Sequence, residues 1–198
     1  MTMKVRYSGG VTNQFAATSI GGVMSNTDAP DNVFENIFDK VDRIEVINGR
    51  TDYRCFYFYN DGSDLYYRTF VKNFTIPENN EIEFAIEHSP NGIAQSIVTE
   101  DIPPVGLTFF KPTDYNAFRL GIGEIITNSK IIVWIKRKVV VGALGNLIIS
   151  FILDGTTNSL TITQDFNTLK SGIDNIKYVN RIGPYLTDID KVGEALAS

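Results

Sequence analysis

What most constrains this fold is a run of strand-length apolar segments, from about residue 51 to 164, each closed by turn-forming residues. Glu81-Ile82-Glu83-Phe84-Ala85-Ile86-Glu87 alternates with a period of two, which places Ile82, Phe84 and Ile86 on an inward face and Glu81, Glu83 and Glu87 on a solvated one. Tyr53 to Tyr59 is dense in the aromatic side chains that suit a pleated surface. Asn60-Asp61-Gly62-Ser63-Asp64 then supplies turn chemistry, and Leu65 to Ile76 reads as the returning strand. Further strands are expected at Gln95–Thr99, Leu107–Phe110, Ala117–Glu124, Lys130–Val140, Leu147–Leu153 and Ser159–Thr163. The gaps between them hold Gly, Pro, Asn or Asp and are too short for crossover helices, which disfavours a parallel α/β fold. The expected class is all-β: an antiparallel sandwich, Ig-like or jelly-roll-like, with at most one or two short helices.

The flanks read differently. Residues 1–50 show little strand periodicity and carry small-residue punctuation at Ser8-Gly9-Gly10 and Gly21-Gly22, the pattern of an extended arm laid across a neighbour. Within it, Asp31 is an expected N-cap for a short helix to Lys40, with Val33, Phe34, Ile37 and Phe38 on one face. Residues 165–198 read as a C-terminal tail or docked segment, with helical spacing at Ile189, Val192 and Leu196.

Chemistry-bearing combinations are scarce. Cys55 and His88 are the only residues of their kinds, which excludes an intrachain disulfide and disfavours a Cys/His metal site. Cys55 reads as a core residue and His88 as a loop histidine, and no serine sits in a nucleophile elbow. Gly121-Ile122-Gly123 has neither a third glycine nor a Lys-Ser/Thr after it, so a strand bend outweighs a phosphate loop. Asn60 to Asp64 resembles a fragment of a calcium loop but lacks the distal glutamate, and a hairpin turn is the simpler reading.

A net charge of -5 and a pI near 4.9 argue against a nucleic-acid partner. The one basic cluster, Lys136-Arg137-Lys138, follows an apolar strand and is expected to be a solvated strand end. No apolar run is long enough to cross a bilayer as a helix, and no secretory signal is visible in residues 1–22, so synthesis in a cytoplasm is expected. No cofactor, metal or catalytic residue is expected. Exposed aromatics such as Tyr57, Tyr59, Tyr66, Tyr67 and Trp134 would instead suit a glycan- or receptor-binding module, which is the alternative reading.

Three stretches resemble a family of tailed-bacteriophage virion structural proteins. The first runs from Tyr7-Ser8-Gly9-Gly10-Val11-Thr12-Asn13 to Thr18-Ser19-Ile20-Gly21-Gly22-Val23-Met24-Ser25. The second is Asn32 to Phe38, then Gly49-Arg50-Thr51-Asp52-Tyr53-Arg54-Cys55-Phe56-Tyr57. The third joins Pro104 to Phe109 with Leu120-Gly121 and Ile131 to Arg137. The resemblance covers residues 7 to about 138 and stops before Val140. It implies a β-sandwich virion component without catalytic residues, at the neck, the tail or the capsid surface, with other virion proteins as partners and a homo-oligomeric state in the particle. Tyr7, Ser8, Gly9, Gly10, Asn13, Ile20, Gly21 and Gly22 are the expected interaction residues of the arm.

Overall fold

The computed structural model describes residues 3–30, 33, 35–62, 66–75, 80–111, 120–141, 149–157 and 163–171. Ten strands dominate these residues: β1 Met3–Tyr7, β2 Gly21–Gly22, β3 Arg50–Asn60, β4 Tyr66–Thr75, β5 Asn80–Glu87, β6 Ala94–Ser96, β7 Leu120–Ile125, β8 Lys130–Val139, β9 Ile149–Thr157 and β10 Thr163–Ser171. They form two four-stranded antiparallel sheets, ordered β1-β3-β8-β5 and β10-β9-β4-β7, and a small β2-β6 ribbon. The all-β expectation holds.

Period-two alternation makes the first sheet apolar on both faces. One face carries Val5, Tyr7, Phe56, Phe58, Ile82, Phe84, Val133 and Ile135, covered by Ala16, Ala29, Ile37, Phe38 and Ile125. Ile125 ends β7, so it ties the second sheet to the first. The opposite face carries Tyr53, Cys55, Tyr57, Ala85, Ile132 and Trp134, covered by Ala94 and Ile97 with Ile20, Met24, Leu107 and Phe109. Side chains from Asp52 to Phe58 are all buried, as expected for a central strand covered on both sides.

The N-terminal segment is not a free arm. β1 pairs along β3 from Met3↔Asn60 to Tyr7↔Phe56, and the chain returns along its outer side through Ala29 N–H to Val5 C=O (2.7 Å) and Ser25 N–H to Tyr7 C=O (2.8 Å). Met-Lys-Val-Arg-Tyr is a short alternating strand whose Val5 and Tyr7 enter the core. The boundary expected at residue 50 therefore divides strands of one sheet. At the other end, β10 continues the second sheet past residue 164.

Of the helix expected over residues 31–40, Asp31, Asn32 and Phe34 lie outside the described residues, and 35–38 form a turn and bends that bury Ile37 and Phe38; the one α-helix among the described residues is α1, Arg43–Asn48. Its start is a capping box: Asp42 accepts from the Glu45 amide (2.9 Å) and Glu45 accepts from the Asp42 amide (2.9 Å). The acidic face of β5 is paired, not merely solvated. Glu83 meets Lys136 at 2.9 Å, and Glu87 accepts from Trp134 Nε1 (2.7 Å) and the Gln95 amide (2.8 Å). The register shifts of β4 against β7 fall at Gly123 and Gly121, in keeping with a bend there. The helix expected at residues 188–197 lies outside the described residues.

Candidate functional site

Residues 8–27 build a closed loop in which the side chains of Ser8, Asn13, Thr18, Ser19 and Ser25 bond within the loop. Asn13 is its hub. Its Nδ2 donates to the carbonyls of Ser8 (2.5 Å) and Phe15 (3.1 Å) and to Ser19 Oγ (3.2 Å), while its Oδ1 accepts from the Phe15 amide (3.1 Å) and Thr18 Oγ1 (2.6 Å). An asparagine has few bonding sites, and these are used within one loop. Ser8 Oγ accepts from the Gly21 amide (3.0 Å), the Gly10 amide reaches the Val23 carbonyl (3.2 Å), and the Asn26 amide reaches the Val11 carbonyl (3.0 Å).

The loop is also fastened to the sheet. Cys55 N–H donates to the Ser19 carbonyl (2.7 Å), continuing the β3 ladder beyond the end of β1. Tyr57 Oη donates to the Gly22 carbonyl (2.5 Å) and accepts from the Ala94 amide (2.8 Å), joining both strands of the β2-β6 ribbon. The glycines serve close approach. Gly9 has φ 92 with the Thr18 carbonyl oxygen 2.4 Å from where a Cβ would stand; Gly21 has φ 101 with the Gln95 carbonyl oxygen at 1.8 Å.

The structure thus brings the eight expected interaction residues together in one loop and the β1 end that leads into it. Tyr7, Ser8 and Gly21 are buried; Gly10, Asn13, Ile20 and Gly22 are half-buried and spent on internal bonds or packing; Gly9 is exposed. They frame the loop, and other residues face outward from it. Val11, Phe15 and Val23 expose 54%, 65% and 44% of their surface. Sequence reading left these three out of its interaction set, although Val11 and Phe15 lie within the span it singled out and Val23 directly follows it.

A second constellation sits on the Phe56 side of the sheet, at the far end of β3. Arg137 donates to Asp52 Oδ2 through Nη2 (2.6 Å) and Nε (3.1 Å), and to the Asp39 carbonyl through Nη1 (2.7 Å). Asp52 also meets Arg50 at 2.5 Å; Arg54 pairs with Asp39 (2.9 Å) and Glu100, and Glu100 also takes Arg50. Phe38 lies against the guanidinium groups of Arg137 and Arg54, at 4.6 and 5.7 Å. Glu45 joins through Arg50 (3.2 Å), and burial raises its carboxyl above the usual range despite that partner. Arg54, Arg137 and Asp52 are at most 1% exposed, so the expectation of a solvated Lys136–Lys138 end is corrected: alternation turns Arg137 inward. The network staples residues 36–45 and the loop around Glu100 to the sheet.

His88 lies on an exposed loop after β5, and Cys55 is fully buried with its thiol pushed up by burial while bonded to Ser8. No group of three or more His, Cys, Asp or Glu side chains that could hold a metal gathers among the described residues. Trp134 and Tyr57 are fully buried, so neither can stack on a sugar ring. No helix among the described residues is long and apolar enough to cross a membrane.

No family model matches the chain, and no curated protein matches it. Among solved structures it is similar to a family 123 glycoside hydrolase from Clostridium perfringens, described for its glycolipid glycan hydrolysis. The identity is 14% over 62% of this chain at a TM-score of 0.25, and the chain spans 21% of that protein's length. A likeness of that size carries no argument about fold or activity.

Burial has a measurable alkaline consequence. The phenols of Tyr7 and Tyr57 are both pushed up from 10 to about 12, chiefly by desolvation. The unfolded chain ionises them first, so their contribution is intact below pH 10 and is lost as pH rises through about 12. Each is worth roughly 2–3 kcal/mol at full loss. Stability measured by urea titration should fall across this window, and Tyr7→Phe should remove the Tyr7 share of the fall. An unchanged alkaline curve in that variant would show that the Tyr7 phenol is not shielded.

Proposed function

We propose that this chain is a structural component of a tailed-phage virion and works by contact, presenting Val11, Phe15 and Val23 to a neighbouring virion protein. The supporting observation is the contrast inside one loop: Ser8, Asn13, Thr18, Ser19 and Ser25 spend their side chains on bonds within the loop, while these three apolar side chains stay in water. Burying one such side chain contributes about 1.5–3 kcal/mol. A loop fixed before binding also loses little entropy on docking, unlike an arm that orders on its partner. The resemblance of residues 7–138 to virion proteins supplies the setting; the loop supplies the mechanism. The proposed location is the virion, after assembly in a host cytoplasm.

The test is incorporation of Phe15→Ser, supplied from a plasmid in infected cells, into purified particles. Phe15 is mostly outside the core, so Tm should stay within about 2 °C of the wild type. Incorporation should drop at least about tenfold, equivalent to about 1.4 kcal/mol of lost contact. Normal incorporation of the folded variant would count against this surface.

A further inference from the structure

A second surface, at the free side of β5, points to self-association and does not rest on the reading above. Phe84 exchanges backbone bonds with Phe110 (3.0 and 2.8 Å), covering the β5 edge at that residue. Toward Ile86 a wedge of about 330 Å³ opens between β5 and residues 106–108, walled by Phe84, Ile86, Leu107 and Phe110 together with the polar His88 and Thr108. Phe110 is 57% exposed at this wedge. Gly106 lines it too and, at φ 73, turns the chain directly from the wedge to Val105.

Val105 ends a braced loop. The Gln95 side-chain amide holds both its N–H (2.7 Å) and its C=O (3.1 Å), in the manner of a strand partner. Behind it, the Ile97 amide bonds the Ile20 carbonyl (3.1 Å) and the Tyr53 amide bonds the Glu100 carbonyl (2.7 Å). Despite this anchoring, Val98 and Val105 are 84% and 83% exposed, the two highest values among the exposed large apolar side chains described. A fixed apolar knob therefore adjoins a hole with one apolar wall on the same molecule.

The charges complement each other in the same sense. Glu100 is turned inward onto Arg50 and Arg54, which leaves Asp101 as the outward acid of the knob loop. At the β5 edge, Glu81 is shared by Lys111 (3.4 Å) and Lys138 (3.7 Å), so among the described residues two ammonium groups meet one carboxylate there. A surface that carries a knob beside its hole, and an acid beside a base, is self-complementary, as a two-fold contact requires. Gly106 joins the two parts, so both can lie close to the axis.

We propose that a second copy of this chain docks here about a two-fold axis, Val105 of each entering the wedge of the other and Asp101 of each approaching the partner lysines. Sedimentation equilibrium of the purified chain tests it. The expected result is a reversible dimer that Val105→Glu weakens at least about tenfold without lowering Tm. Asp101→Lys and Lys111→Glu should each weaken it, and the two combined should restore it, because both charges then reverse together. Phe15→Ser should dimerise like the wild type, which separates this contact from the virion surface. A monomer at every concentration, or a dimer that Val105→Glu leaves untouched, overturns the proposal.

Discussion

Replacing Arg137 with alanine is expected to destabilise the folded chain by about 3–5 kcal/mol. Asp52 and Arg137 sit directly opposite in the β3-β8 ladder, and both are shut off from water. Removing the guanidinium takes both of its bonds from Asp52 Oδ2 and strips the Asp39 carbonyl of its donor. It also uncovers one side of the Phe38 ring. Arg50 remains on Asp52 Oδ1, but a carboxylate at 0% exposure needs more than one partner to offset its desolvation. The converse follows from the same reasoning. Exchanging both members for apolar residues, Arg137→Met with Asp52→Leu, removes the charges together and should cost far less than either single loss. Denaturant titration of the two single variants and the pair checks this. A single-variant loss below about 1 kcal/mol would mean that water reaches the site.

Gly21→Ala should be comparably damaging, for a backbone reason. Gly21 holds φ 101, and an added Cβ would stand 1.8 Å from the Gln95 carbonyl oxygen and 2.8 Å from the Ser96 Cα, both main-chain atoms of the paired β6. Neither atom can step aside without breaking the ribbon. The expected loss exceeds about 3 kcal/mol, because left-handed strain adds to a steric clash. Gly10→Ala isolates the strain. Gly10 has φ 121 but open space where its Cβ would go, so a cost of about 1–2 kcal/mol is expected. Comparable Tm values for the two variants would mean that the loop adjusts around Gly21 and is less rigid than its bonding indicates.

The strands of the first sheet were legible because their patterns are local. Ile82 and Phe84 alternate with glutamates in β5, and Tyr53 to Tyr59 and Lys130 to Val139 are long enough to outweigh competing readings. β1 was missed because Val5 and Tyr7 make a two-residue apolar pattern whose meaning depends on a partner strand some fifty residues away. The helix at Arg43–Asn48 had a local signal, Asp42-x-x-Glu45, which apolar spacing over residues 31–40 overrode. The glycines were the hardest. A glycine that permits tight contact and one that frees an arm look the same in sequence, and only the Ser8–Gly21 and Gly9–Thr18 approaches distinguish them. The charged network had no local signal at all, since it arises from strand register and from the returning loops that carry Asp39 and Glu100.

The central claim is that residues 8–27 form a contact surface already built in the isolated chain. Amide hydrogen exchange on the purified, unassembled protein tests it most directly. Slow exchange is expected at Gly10, Asn13, Ser19, Gly21 and Ser25, whose N–H groups are bonded within the loop or to β1. Fast exchange throughout 8–27 in the free chain, with protection gained only in particles, would contradict the claim and restore the picture of an arm that orders on binding.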